Sequence, residues 1–595
     1  MGRMRPLRFS SGTLAVVAGV LLLAESAAPV PAQSFEIMVP AADGTLLATD
    51  VYLPFGGGPW PVILTRTPYG KDGVREVCLG LTLVQYACVA QDTRGRFDSG
   101  GEDTVFRDDA GDGRATVEWV AGQPWCDGRI GMFGGSAAGI PQYLAAPGAD
   151  SALFSIAPAV ATPDLYHHAF LQGGAIREEL VVNWLAGQGS SAFYEEVRQH
   201  RLKDAWWDPV EVLAHAGSVH AAGLHVGGWY DIFGQGTLDG FSAFQERGGS
   251  GAAGRQYLVM GPWTHNDLFS RQAGALTYPA DAALDVIDLL LAWYEATLGD
   301  DPSAIDDWPV VRAYVMGAVG EPGAPGNLWV GLDRWPPRAA ARELYLTADG
   351  GLDVAAPAGG ELELVSDPEH PVPTLGGANM FPDLIVDGRP MADGPQDQRS
   401  IEARDDVAVF TTEPLEAPLP VVGAVRCVLW LVPDTPDLDL AVRLTDVYPD
   451  GRSMLVLDGV QRARMRCGDD RECLLTPGVP VEVTVELWST AIVFNASHRI
   501  RIAVSGTNWP RFEVNPNDGG DLNIPASPVV ARPVLRFGPA HRSRLELPVL
   551  SPLRRPAGRL QPAAPLVPAT SSKTWEDDAR DGGAAWILRF TAGPE

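Results

Sequence analysis

Positive charge is what this 595-residue chain has least of: 45 lysines and arginines face 74 aspartates and glutamates, for a formal net charge of −29. Such a field repels phosphate backbones and anionic membrane surfaces, which argues against nucleic acid as a partner. Cysteine is also sparse. The six, Cys78, Cys88, Cys126, Cys427, Cys467 and Cys473, show no zinc-ligand spacing. His167 and His168 are adjacent, so on a helix they diverge, and no metal site is read from them. Internal repeats, low-complexity linkers and extended charge runs are all missing. So is any long apolar run beyond the first two dozen residues, which leaves no later transmembrane segment. What is present is globular: 46% hydrophobic and 20% charged residues, enough for large cores divided among domains of about 100–200 residues each.

Arg3, Arg5 and Arg8 precede an apolar stretch at 14–24, and small residues follow up to Val30-Pro-Ala32. A basic start, a short greasy core and a small-residue cleavage site make a secretory signal peptide over 1–32. The core is short for a permanent anchor, the alternative reading. The expectation is therefore an exported protein, periplasmic or extracellular, with no stable membrane insertion after cleavage. Export permits disulfides. Cys467 and Cys473 close a short polar loop and are the expected pair, while the other four cannot be connected from sequence.

The chemistry starts at Arg129-Ile-Gly-Met-Phe-Gly-Gly-Ser136-Ala-Ala-Gly139, an apolar run that ends in a glycine-flanked serine. A serine on a strand-to-helix turn is how a sheet enzyme exposes a nucleophile. The usual turn has glycine two residues after the serine, whereas here Ala138 holds that place and Gly139 follows. Two further apolar runs end in residues of catalytic type, Leu224-His-Val-Gly-Gly-Trp-Tyr-Asp231 and Tyr257-Leu-Val-Met-Gly-Pro-Trp-Thr-His265. Each reads as a buried parallel strand carrying its side chain at the C-terminal end, where open α/β sheets place their chemistry. Serine, aspartate, histidine is the chain order of α/β-hydrolases.

Organisation follows from the same patterns. Segments 35–40 and 45–54 flank Ala-Ala-Asp-Gly as an antiparallel hairpin. Apolar runs at 61–64, 86–90, 130–133, 224–227 and 257–260 alternate with stretches able to hold helices, a mostly parallel sheet. Leu284, Ile287, Leu291, Tyr294 and Leu298 recur at helical spacing and mark the last large helix of this domain. An insertion over 161–222, with Ile176, Leu180 and Trp184 on one helical stripe, should fold over the mouth of the site. From 308 the pattern becomes many short alternating runs, such as 424–432, 439–447 and 498–504, as in an all-β sandwich or jelly roll. The expected division is α/β-hydrolase over 33–160 and 223–307, helical cap over 161–222, and C-terminal jelly roll over 308–595.

These residues resemble the cocaine-esterase-like branch, CocE/NonD, of the X-Pro dipeptidyl-peptidase (S15) superfamily. The resemblance rests on Thr67-Pro-Tyr69-Gly-Lys71, Gln91-Asp-Thr-Arg-Gly-Arg96, Glu118-Trp-Val-Ala-Gly-Gln-Pro-Trp-Cys-Asp-Gly128, the Ser136 turn, Gly228-Trp-Tyr-Asp231 and Gly261-Pro-Trp-Thr-His265. In the last domain it rests on Asp446-Val-Tyr-Pro-Asp-Gly451, His498-Arg-Ile-Arg501 and Asn508-Trp-Pro-Arg-Phe512. It implies an α/β-hydrolase core with an inserted helical cap and a C-terminal jelly roll. It also implies that Tyr69 supplies one oxyanion donor beside the backbone N–H of Ala137. Relatives commonly carry an aromatic residue directly after the serine; Ala137 here implies a roomier pocket.

The expected reaction is acyl transfer to water. Ser136 attacks, His265 relays the proton, Asp231 fixes the imidazole, and no cofactor is needed. The substrate is a small-molecule ester or amide, with the oligomeric state, homo-oligomer included, left open. The scaffold also hosts glutaryl and β-lactam acylases, amino-acid ester hydrolases and X-Pro dipeptidyl-peptidases. Ile232-Phe-Gly-Gln-Gly236 after Asp231 has no carboxylate to hold a substrate ammonium, and the hydrolase hairpin begins directly after residue 32. Both favour an apolar acyl pocket, with Phe233 and Trp184 as candidate wall residues or, on the plainer reading, core packing. A reading of another class makes the jelly roll a ligand-binding module beside a vestigial hydrolase.

Overall fold

The computed structural model describes residues 33–524 and 527–550. The expected signal peptide and the segment 551–595 lie outside the described residues. The first domain is built on a ten-stranded sheet in the order β1-β2-β4-β3-β5-β6-β9-β10-β13-β14. The hairpin β1 (Gln33–Pro40) and β2 (Leu46–Leu53) is antiparallel, with Pro40 opposite Leu46. β3 (Trp60–Thr67), β4 (Ala87–Asp92), β5 (Cys126–Gly135), β6 (Leu153–Ala159), β9 (Ala222–Tyr230) and β10 (Gln256–Thr264) run parallel. Helices α1 (Arg75–Leu83), α2 (Asp109–Ala121), α3 (Ile140–Ala145), α6 (Gly234–Arg247) and α7 (Val286–Thr297) connect or cover them. Every residue of β4 and β9 is buried, which is why these strands read as largely apolar runs rather than alternation.

Between β6 and β9 lies the cap. It opens with a π-helical turn, Tyr166–Phe170, and a two-residue-per-strand hairpin, β7 (Leu171–Gln172) and β8 (Ala175–Ile176). Helices α4 (Glu178–Gln188) and α5 (Phe193–Gln199) follow. Ile176 therefore sits on β8, not on the helical stripe expected to join it to Leu180 and Trp184; the Gly173-Gly174 turn, both residues at positive φ, breaks the helix there.

The sheet does not stop at 308. After a small hairpin, β11 (Gln272–Ala273) and β12 (Leu276–Thr277), strand β13 (Val311–Val315) pairs parallel with β10 and β14 (Leu328–Leu332) pairs antiparallel with β13. The first sheet thus takes in two short strands beyond 308 and reaches Leu332. α7 also differs in detail. Its buried residues are Leu289, Trp293 and Tyr294, while Ile287 and Leu291 lie at its margins.

Beyond Leu332 two antiparallel sheets face each other, one of seven strands built around Leu419–Val432 and one of four strands containing Asp439–Val447 and Arg499–Ser505. The two domains share one apolar core, in which Tyr230, Trp263 and Tyr314 of the first join Leu440, Leu444 and Ile502 of the second. Disulfides join Cys78 to Cys88 and Cys467 to Cys473, and Cys126 and Cys427 are buried as free thiols.

Candidate active site

Ser136 lies directly after β5, at φ 55°, and begins a short 3₁₀ turn that leads into α3. A serine in this left-handed region is held there by its surroundings. Gly134 makes the bend feasible: at φ 142°, a Cβ on it would lie 2.6 Å from the Ala138 carbonyl oxygen. Gly139 has a packing role, since a Cβ there would lie 2.6 Å from the Cβ of Ala161 at the entry to the cap. The displaced glycine of this turn is thereby explained: position 139, not 138, faces the neighbouring strand.

Asp231 follows the last residue of β9 and His265 the last residue of β10. β5 and β9 are separated by β6, so the sheet brings three distant strand ends to one edge. His265 Nδ1 lies 2.5 Å from Asp231 Oδ1, and its Nε2 lies 3.0 Å from Ser136 Oγ. All three side chains are buried. Asp231 Oδ2 accepts the Phe233 amide at 3.0 Å, and the Phe233 ring stands edge-on to the imidazole at 5.7 Å. The carboxylate is thus fixed on one side by a backbone N–H while its other oxygen faces the ring nitrogen, which sets both orientation and tautomer.

Tyr69, in the turn after β3, is 39% exposed overall, yet its hydroxyl is desolvated by the cap. Burial raises its pKa above the usual tyrosine value, partly offset by hydrogen bonds with Trp184 and Ser136. Trp184 Nε1 donates to the Tyr69 oxygen at 3.0 Å. The Trp184 bond uses one lone pair of that oxygen, and the hydroxyl still has an O–H to donate. Ala137 is buried beside Ser136.

Ser136 opens on a pocket with about 440 Å³ of empty space, its mouth included. Phe233 and Trp184 both line it, with Ala137 at its base. Trp184 is stacked on Phe106, with ring centroids 5.7 Å apart and planes 19° from parallel. Sequence reasoning did not reach several other wall residues, among them Phe106 from the loop after β4, Ile140 from α3, Leu165 and Phe170 from the cap, and Met380 from the C-terminal domain. Phe106 sits at φ 70° in an irregular loop, where no periodicity signals it. Met380 comes from a loop pinned to the site by Asn266, whose Nδ2 donates to the Met380 carbonyl at 3.3 Å. The pocket lining carries no carboxylate and no cation. Among the described residues no group of three or more His, Cys, Asp or Glu side chains is placed to hold a metal ion, and none of their helices is long and apolar enough to cross a membrane.

The match to known proteins runs along the same two domains. Residues 43–195 and 182–267 match the model of the X-Pro dipeptidyl-peptidase (S15 family), and residues 303–546 match the X-Pro dipeptidyl-peptidase C-terminal non-catalytic domain. A cocaine esterase of Rhodococcus sp. (strain MB1 Bresler) is 31% identical over 585 residues, covering 86% of this chain and 98% of the relative. Among solved structures, an alpha-amino acid ester hydrolase superposes with a TM-score of 0.74 at 24% identity, over 87% of this chain and 97% of the other. An aminopeptidase from a marine sediment Thaumarchaeota archaeon gives 0.74 at 23% identity, over 93% and 99%; both likenesses speak to the fold. The two family models and the similarity over most of both chains together place the chain in the X-Pro dipeptidyl-peptidase (S15) superfamily, among its cocaine-esterase-like CocE/NonD hydrolases.

Proposed function

We propose that this protein is an exported serine hydrolase that cleaves esters of apolar, uncharged acyl groups through an acyl-enzyme. The observation that carries the reading is the unbroken line Asp231–His265–Ser136, at 2.5 and 3.0 Å. Ser136 Oγ attacks the carbonyl carbon as His265 Nε2 takes its proton, and the imidazolium so formed is stabilised by Asp231. His265 then protonates the leaving alkoxide. Water, deprotonated by the same imidazole, attacks the acyl-serine carbonyl and releases the acid. The negative charge on the carbonyl oxygen is met by the Tyr69 hydroxyl and the Ala137 amide, and donors of this kind act most strongly when they are preorganised.

The acyl preference rests on the wall chemistry. Phe106, Leu165, Phe170, Leu180 and Phe233 offer dispersion contact and no ion-pair partner, so a substrate ammonium would be buried uncompensated. That argues against α-amino-acid esters and X-Pro peptides as substrates. Two disulfides suit an oxidising compartment and support export.

Fluorophosphonate labelling followed by peptide mapping tests the assignment, together with hydrolysis of p-nitrophenyl esters, phenylacetyl and glutaryl amides, and X-Pro anilides. Wild type should be labelled at Ser136 and prefer apolar acyl esters, and Ser136→Ala should fold yet neither label nor turn over. An intact rate in Ser136→Ala would overturn the reading, and an unlabelled wild type would return the jelly roll as the working part.

A further inference from the structure

Asp231 is gripped from two sides, and the second grip leads to a residue that no step of the reaction has used. Its Oδ2 accepts the Phe233 N–H. That N–H shares a peptide plane with the Ile232 carbonyl, and in a trans peptide the two point in opposite directions. Whatever holds oxygen 232 therefore aims hydrogen 233. Arg177 holds it, with Nη1 donating to the Ile232 carbonyl at 2.8 Å. The same nitrogen donates to the carbonyl of His168, on the cap turn whose Ala169 and Phe170 line the pocket.

Arg177 is 1% exposed. Its guanidinium lies 5.3 Å from the centroid of the Trp488 ring of the C-terminal domain, and its Nε has no hydrogen-bond partner among the described residues. Burial, joined by the nearby positive charge of Arg511, lowers its pKa to about 9, while Glu179, Asp231 and Asp458 act in the opposite sense. A desolvated cation whose hydrogen bonds go to neutral carbonyls is costly, so packing alone is a poor reason for an arginine here. The field it sends toward Asp231 and the peptide it orients are specific returns for that cost.

We infer that Arg177 is a positioning residue for hydrolysis: it fixes the 232–233 peptide, aims the Phe233 amide at Asp231, and ties the cap turn of the acyl pocket to the acid of the triad. The inference rests on the Ser–His–Asp reading above. Loss of the guanidinium frees the peptide that aims the Phe233 N–H at Asp231 and takes a cation from the surroundings of that carboxylate. Both changes favour the imidazolium form of His265, so the base is protonated at higher pH and activity fails first on the acid side.

The test uses the full chain and two variants, Arg177→Met and Arg177→Lys, with kcat/KM for p-nitrophenyl butyrate and the fluorophosphonate labelling rate measured across about pH 5 to 9, the range in which histidine titrates. Arg177→Met should lower kcat/KM about tenfold or more at neutral pH and move the acidic limb of both profiles up by about one pH unit. Arg177→Lys keeps the charge on a stem one bond shorter than the Nη1 that holds both carbonyls, so its ammonium falls short of them; its kcat should fall while its limb stays near wild type. A folded Arg177→Met with the wild-type limb overturns the inference, because a merely structural role would lower rates without moving the profile. If Arg177→Met does not fold, Arg177→Lys decides: a wild-type kcat overturns the peptide-holding role and a reduced kcat with an unmoved limb supports it. Absence of Ser136 labelling in wild type is a separate result, which sinks the functional reading and this inference with it.

Discussion

Trp184 Nε1 occupies one lone pair of the Tyr69 oxygen, which leaves the phenol O–H able to donate. Desolvation by the cap keeps that hydroxyl protonated, and a preorganised donor in a dry site is worth more than one in water. Tyr69→Phe removes the donor while leaving the ring, so kcat should fall by about 10²–10³ with KM little changed. Steady-state kinetics on an activated aryl ester checks this, and an unchanged kcat removes Tyr69 from the oxyanion site. Trp184 thus serves twice, as a wall of the pocket and as the support of a donor. Its sequence context offered only a helical stripe, which is why packing was the plainer expectation for it.

At the scale of elements, the strand-to-helix turn at Ser136 depends on what its glycines avoid. A methyl group at Gly134 would meet the Ala138 carbonyl oxygen and the Ala138 Cβ, at 2.6 and 2.9 Å, so the turn itself must shift to admit it. Gly134→Ala should therefore cost about 1–3 kcal/mol of stability, the usual range for overpacking, and lower kcat by more than the Tm loss alone explains. Thermal melts beside kinetics distinguish the two; a variant with full kcat would mean that the turn has slack. The same scale shows what the sequence could reveal. β5, β9 and β10 were legible because each holds a short apolar run that leads to a residue of catalytic type directly after the strand. β6, Leu153–Ala159, was not, because Pro158 and Ser155 interrupt its run. That β13 and β14 join the first sheet was not legible, because strand length and alternation say nothing about which sheet a strand joins. Phe106 and Met380 escaped for a related reason: each reaches the pocket from a loop, and only tertiary contact assigns a loop residue to a site.

Over the whole molecule, the cap is clamped between the hydrolase sheet and the jelly roll, and one clamp is titratable. His167, on the cap turn, places Nδ1 2.6 Å from Asp164 and Nε2 3.0 Å from Asp469, which lies inside the loop closed by Cys467 and Cys473. Burial alone would lower the histidine pKa, but the hydrogen bonds to the two carboxylates outweigh it and raise the value to about 9, with Lys203 opposing. Because the folded value lies above the unfolded one of about 6.5, protons bind more tightly to the folded state. The stabilisation is fully present below about pH 6.5 and is lost as pH rises toward the folded value. Its size is modest, since the imidazole is about one-third exposed and screened. His167→Gln should therefore lower Tm relative to wild type at pH 6, and the difference should shrink as pH approaches 9. Asp469→Asn should reproduce the trend in part, because Asp164 still holds Nδ1. A Tm difference that is flat across this range would mean that the imidazole is neutral in the folded protein and that the jelly roll grips the cap through other contacts, such as the Arg201–Glu513 ion pair.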